Sequence, residues 1–152
     1  MPKISFIKAS QRLHQDASHL RGDSTQDRNA SAGHFFGLSS ECGLKYLLLV
    51  CGALNRDSTT GDLLHPRPHV NQLVDASGLV ATYASAVANH TNAKYLAQMP
   101  NLGGLSTWKV EFRYYDTSHT DYPKQEELKW ETAATEIQKA LDQAQLDGQP
   151  IY

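Results

Sequence analysis

Apolar side chains recur along most of this chain with a helical rather than a strand period. Ile4, Ile7, Ala9, Leu13, Ala17 and Leu20 form an irregular stripe, which predicts a first helix over residues 4–20. The run Gly22-Asp-Ser-Thr25 breaks it, and the polar residues from Ser24 to Asp27 are good N-caps for a second helix. That helix is expected from Asp27 to about Leu54. Phe35, Phe36, Leu38, Leu44, Leu47 and Leu48 surround its axis, so it should be largely buried. Gly33, Gly37 and Gly43 lower its intrinsic propensity, and their place on a buried helix points to close approach by a partner helix.

Residues 55–68 read as a polar connection holding Gly61, Pro66 and Pro68. A third helix should open near His69 and carry Val70, Leu73, Val74, Leu79, Val80 and Tyr83, weakening past Ala88. Met99-Pro-Asn-Leu-Gly-Gly-Leu105 is a cluster of breakers. Residues 107–112 alternate like a short strand, but no other segment offers a matching strand, so an extended loop is expected there. The last helix should begin near Pro123, with Glu126 and Glu127 in its first turn, and end at Gly148. Trp108 and Trp130, each among apolar neighbours, should anchor the core. The expected architecture is one domain over residues 1–152, an all-α bundle of four to five helices with a long irregular loop before the last.

Composition narrows the function classes. With 40% hydrophobic and 20% charged residues in 152, the chain can bury a core, which excludes wholesale disorder. Its 14 Lys and Arg against 16 Asp and Glu leave a formal charge of −2, which excludes a generally cationic surface for nucleic acid or anionic lipid but leaves room for a local basic site. The apolar run at residues 46–50 is far shorter than a membrane span, and residues 1–8 lack a signal-peptide core, so a cytoplasmic protein with no membrane association is expected. Cys42 and Cys51, nine residues apart on one expected helix, lie about 13 Å apart and cannot bridge. They read as buried thiols, and no zinc-ligand spacing accompanies them, so no metal or cofactor is implied.

Seven histidines are many for this length. His34, Glu41 and Lys45 share one side of the second helix, and Glu41 with Lys45 makes a favourable i,i+4 pair. A polar stripe on a buried helix must be partnered or line a cleft. The second constellation is Arg113-Tyr-Tyr-Asp-Thr-Ser-His119. A guanidinium and an imidazole brought to one phosphate suit RNA cleavage, in which the 2′-hydroxyl attacks the adjacent phosphate: the Arg holds the oxygens and the His moves the proton. His65 and His69 bracket Arg67 between prolines, which separate the two rings and fit a loop. His14, His19 and His90 fit helix surfaces.

The segment Ala32-Gly-His-Phe-Phe-Gly-Leu-Ser-Ser-Glu-Cys-Gly-Leu-Lys-Tyr-Leu47 resembles the H-x-x-G-x-x-x-E-C-x-L-K helix of HEPN-domain proteins, matching at His34, Gly37, Glu41, Cys42, Leu44 and Lys45. Trp108 and Arg113-Tyr114 resemble the Trp and Arg-Tyr segment before the final helix of that group. The resemblance implies a helical bundle that dimerises. It also implies a metal-independent endoribonuclease of a toxin–antitoxin or phage-defence system, acting on RNA. In such a family the site is an Arg and a His a few residues apart, contributed by both subunits at a shared cleft. Arg113 and His119 match it with five intervening residues, and Glu41, Lys45, His34 and Tyr114 would support the cleft. A nucleotidyltransferase-type antitoxin or other defence protein is an implied partner. Such antitoxins modify a Tyr shortly after the His, and the nearest here is Tyr122. Two other readings stand beside this one: a noncatalytic dimeric module binding a partner protein or a nucleotide, and a small-molecule enzyme using His34, Glu41 and Lys45.

Overall fold

The computed structural model describes residues 3–22 and 25–152. Helices α1 (Phe6–Arg21) and α2 (Gln26–Val50) form an antiparallel pair. They are followed by a single turn α3 (Val70–Leu73), the two-residue strands β1 (Val74–Asp75) and β2 (Gly78–Leu79), and α4 (Ala81–Val87). Four 3₁₀ segments come next, Thr91–Gln98, Leu102–Thr107, Val110–Tyr114 and Lys124–Glu126, and then α5 (Glu127–Leu146). The chain is thus mostly helical, with one small antiparallel hairpin that pairs Val74 with Leu79 and Asp75 with Gly78.

Helix α2, about 37 Å long at 1.5 Å per residue, is the centre. It packs on α1 and α5 and is touched by α3 and the 110–114 turn. Asp27, Arg28 and Ser31 near its start are exposed, but over residues 36–50 no position is, and the apolar residues there point all round: Phe36, Leu44, Tyr46, Leu47 and Leu48 are all within 2% of complete burial. The small residues decide how near the neighbours come. Gly33 lies under the Trp130 ring, whose nearest carbon would stand 3.2 Å from an added Cβ. Gly37 receives the Trp108 indole, and a Cβ there would overlap its Nε1 edge. Gly43 faces Ile137 of α5 and Ser10 of α1. Where α1, α2 and α5 meet, Ser10 and Ser39 exchange hydroxyl-to-carbonyl bonds of 2.8 Å, and the Gln138 amide donates to Ser10 Oγ at 2.8 Å. Serine hydroxyls satisfied this way can sit in a seam too narrow for larger side chains.

The expected partner for the glycine stripe is therefore inside the chain. Gly33, Gly37 and Gly43 are filled by Trp130, Trp108, Ile137 and Ser10, so the stripe does not supply a surface for a second copy.

Several boundaries differ from expectation for local reasons. Helix α2 stops at Val50, before Leu54, because Gly52 takes φ 72° and turns the chain. The expected third helix is divided. Asp75 Oδ1 accepts from the Ser77 amide at 2.8 Å and the Ser77 hydroxyl at 2.6 Å, and Gly78 takes φ 127°, so Asp-Ala-Ser-Gly makes a tight turn where a helix was expected to run on. The 107–112 segment is extended only at Trp108 and Lys109 and then coils into the 110–114 turn. Helix α5 begins at Glu127, after the short 3₁₀ turn that follows Pro123, and Gly148 at φ 75° ends it.

Trp108 and Trp130 are completely buried, as their surroundings predicted. Replacing Gly37 or Gly43 with Ala should lower stability by about 1–3 kcal/mol through overpacking, although alanine improves helix propensity by about 1 kcal/mol. Urea unfolding of both variants checks this, and a gain in stability would show that neither neighbour is held tightly.

Candidate functional site

The segment between the 102–107 turn and α5 is fastened by its aromatic residues. Trp108 fills the slot over Gly37, Phe112 stacks on Trp130 with centroids 5.8 Å apart, and Tyr122 is buried. Thr117 donates its hydroxyl to Asp27 Oδ1 at 2.7 Å, tying the loop to the first turn of α2. These attachments hold the loop against α2 and leave a cleft of about 260 Å³ between them. Asp27, Ser31, His34 and Phe35 line it from the helix, and Phe112, Arg113, Tyr115 and Thr117 from the loop.

The cleft joins two residues that the sequence placed in separate constellations, His34 and Arg113. The His34 ring stacks on Trp108 at 5.4 Å between centroids, and its Nδ1 is buried with no hydrogen-bond partner among the described residues. A buried N–H without an acceptor is costly, so we assign the proton of the neutral ring to Nε2. Burial first, and the Arg113 guanidinium second, hold the His34 pKa below its ordinary value of 6.5. His34 therefore offers the cleft a neutral N–H donor near neutral pH. Arg113 is exposed, lies over the Tyr114 ring at 4.6 Å, and has no carboxylate partner among the described residues. An unpaired guanidinium, an imidazole N–H and hydroxyls together can bind an anion such as a phosphate.

His119 sits elsewhere. It is exposed, lines no part of this cleft, and uses Nδ1 to accept the Asp121 amide proton at 3.1 Å. The turn that carries it is built by Asp116, whose Oδ1 accepts from the Ser118 amide at 2.9 Å and the Ser118 hydroxyl at 2.6 Å. Among the described residues no hydrogen bond, ion pair or ring contact joins Arg113 to His119 within one chain. Tyr114 is three-quarters exposed and serves as the plane under Arg113. Tyr122 is 4% exposed, and burial, then the Glu127 carboxylate, push its pKa up. A transferase could not reach that hydroxyl in this conformation.

Glu41 and Lys45 do not continue the His34 site. Lys45 Nζ lies 2.6 Å from Glu41 Oε1, and both side chains are about nine-tenths buried. Glu41 Oε2 meets His69 Nδ1 at 3.2 Å and accepts the Val70 amide at 3.2 Å. The carboxylate thus clasps the start of α3 to α2, and Gln72 completes the turn by accepting the His69 amide at 2.8 Å. The one polar stripe resolves into a cleft residue, His34, and a structural clasp. His69 was read as a loop residue. Nothing in its local sequence marks its imidazole for this contact, which depends on Glu41, 28 positions earlier in the chain. Asp27 was counted only as a capping residue, and its role at the cleft depends on a loop ninety positions away in sequence.

The remaining polar candidates have local roles. His14 packs edge-on against Phe36 and is half-buried rather than on the surface, His19 bonds its own helix carbonyl at Gln15, and His90 caps the 91–98 segment. Cys51 is buried and Cys42 half-buried, and burial raises both thiols to about 11, so neither is a ready nucleophile. A second, open groove of about 700 Å³ lies between Gly103-Gly104 and the start of α5, lined by Leu128, Lys129 and Thr132. Among the described residues no cluster of His, Cys, Asp and Glu could hold a metal ion, and no helix is long and apolar enough to cross a membrane. No family model matches the chain, and neither the curated proteins nor the solved structures contain a match.

Two measurements follow from this geometry. Glu41→Gln removes the charge opposite a nearly buried ammonium and should cost about 3 kcal/mol in urea unfolding, of which Glu41→Gln with Lys45→Met recovers a part. An unchanged midpoint would show the pair to be solvated. NMR titration of His34 should give a pKa below 6.5, moved upward by Arg113→Ala but not fully restored, because burial remains. The linked stability has a definite sign. Below pH 6.5 the unfolded chain takes up a proton that the native ring refuses, so stability falls from there to the native pKa and then levels off. A titration at or above 6.5 would mean that the ring is solvated.

Proposed function

We propose that this protein is a metal-independent endoribonuclease of the kind found in toxin–antitoxin and phage-defence systems, acting as a homodimer. One observation carries the reading: Arg113, without a carboxylate partner among the described residues, rims an aromatic-walled cleft beside His34. In that cleft the guanidinium holds the nonbridging oxygens of a phosphodiester. The 2′-oxygen then attacks phosphorus, its proton passes to an imidazole, and the bond to the 5′-oxygen breaks. The leaving oxygen takes a proton back, giving a 2′,3′-cyclic phosphate and a 5′-hydroxyl.

The imidazole assigned to this transfer is His119. Because His119 lies outside the cleft of its own chain, the reading gives it to the cleft of a second copy, as the HEPN resemblance implies. His34, kept neutral with its proton on Nε2, suits a donor to the phosphate rather than the base. The noncatalytic alternative, a dimeric module that binds a nucleotide or a partner protein, is favoured by the engagement of His119 Nδ1 in its own turn.

Incubating RNA with the protein in EDTA distinguishes the two. Wild type should cut, and Arg113→Ala and His119→Ala should each lower the rate at least about 100-fold. Mixing the two variants should restore about a quarter of the activity, since half the dimers then carry one intact site of two. Binding without cutting selects the noncatalytic module. No restoration on mixing would place both residues in one subunit.

A further inference from the structure

The cleft contains a group that a bare phosphate does not need, the Asp27 carboxylate. Asp27 Oδ1 is used by Thr117 at 2.7 Å, while the cleft is also lined by Arg113, His34 and three aromatic rings, Phe35, Phe112 and Tyr115. A carboxylate beside a phosphate site repels its ligand unless the ligand also brings a hydrogen-bond donor. Flat apolar walls suit a ring system, on which unpaired bases stack. At about 260 Å³ the space admits a group the size of one nucleobase and not a helix of nucleic acid. A single nucleotide of single-stranded RNA supplies all three complements: an anion, a flat ring and ring-edge N–H groups.

We propose that the cleft binds one unstacked nucleotide, its base against Phe35, Phe112 and Tyr115, its exocyclic amino group donating to Asp27, and its phosphate on Arg113. This inference rests on the RNA-handling reading above. Cytosine, adenine and guanine carry such an amino group, and uracil does not. Asp27 is then a specificity-determining residue that selects amino-bearing bases over uracil.

Fluorescence anisotropy with labelled 2′-O-methyl eight-mers of C, of A and of U tests this without cleavage. Wild type should bind the C and A oligomers about tenfold more tightly than the U oligomer. Asp27→Ala should bring all three to the affinity of U. Thr117→Val keeps the carboxylate and removes only its bond to the loop, so it should keep the preference. Equal binding of C and U by wild type overturns the inference and leaves the RNA reading standing. Loss of the preference in Thr117→Val also overturns it, because Asp27 would then act only as a tie for the loop. Failure of all three oligomers to bind, with Arg113→Ala indistinguishable from wild type, overturns the RNA reading itself. Urea unfolding of each variant confirms that the comparison is between folded proteins.

Discussion

Everything in this fold depends on how closely other groups can approach α2. Over residues 36–50 this helix has no exposed position, and its neighbours must fit into its surface there without leaving voids. The chain meets this constraint by omitting side chains at Gly33, Gly37 and Gly43 and by using hydroxyls at Ser39 and Ser40 whose polar atoms are satisfied locally. Helix α5 runs parallel to α2 and antiparallel to α1, so Gly33 meets Trp130 and Gly43 meets Ile137, while Gln11 and Arg21 of α1 reach Gln145 and Glu131. The three-helix frame is thus set by small residues on one helix and large residues on the others.

The cleft inherits its shape from this core. Trp108 enters the Gly37 slot, and from there the chain emerges with Phe112 pressed on Trp130 and Arg113 turned to the cleft rim. The loop has little regular structure, yet it is held at Trp108, Phe112, Thr117 and Tyr122. A site on a loop fixed at four points can keep its side chains close to one geometry, which a freely moving loop cannot. The buried face of His34 belongs to the same arrangement, since its ring lies on Trp108 and its pKa is set by that burial and by Arg113.

Much of the frame was legible in the sequence. The helical stripes, the buried character of the second helix, the two anchoring tryptophans and the terminal Gly148 all depend on local periodicity or on single residues with strong preferences. What was not legible depends on distant contacts or on turn chemistry that competes with a helical pattern. Asp75-Ala-Ser-Gly78 carries a turn inside an apolar stripe whose period points to a continuous helix. The polar stripe on α2 was visible, but spacing alone could not show that its two ends face different neighbours, Trp108 and Arg113 at one and His69 and Val70 at the other. The Arg113–His119 spacing suggests a pair; the Asp116 turn stands between them, and His119 is not among the residues that line the cleft of its own chain.

The fit of Trp108 over Gly37 has a consequence for descent. The two positions are separated by nearly half of the chain, yet neither can change alone: a side chain at 37 expels the indole, and a smaller residue at 108 leaves a void beside the helix. Lineages carrying this fold should therefore exchange the two residues together or keep both. A drift at one of them would loosen the loop that carries Arg113 before it altered any residue of the cleft, so the history of the cleft would be written first in a glycine.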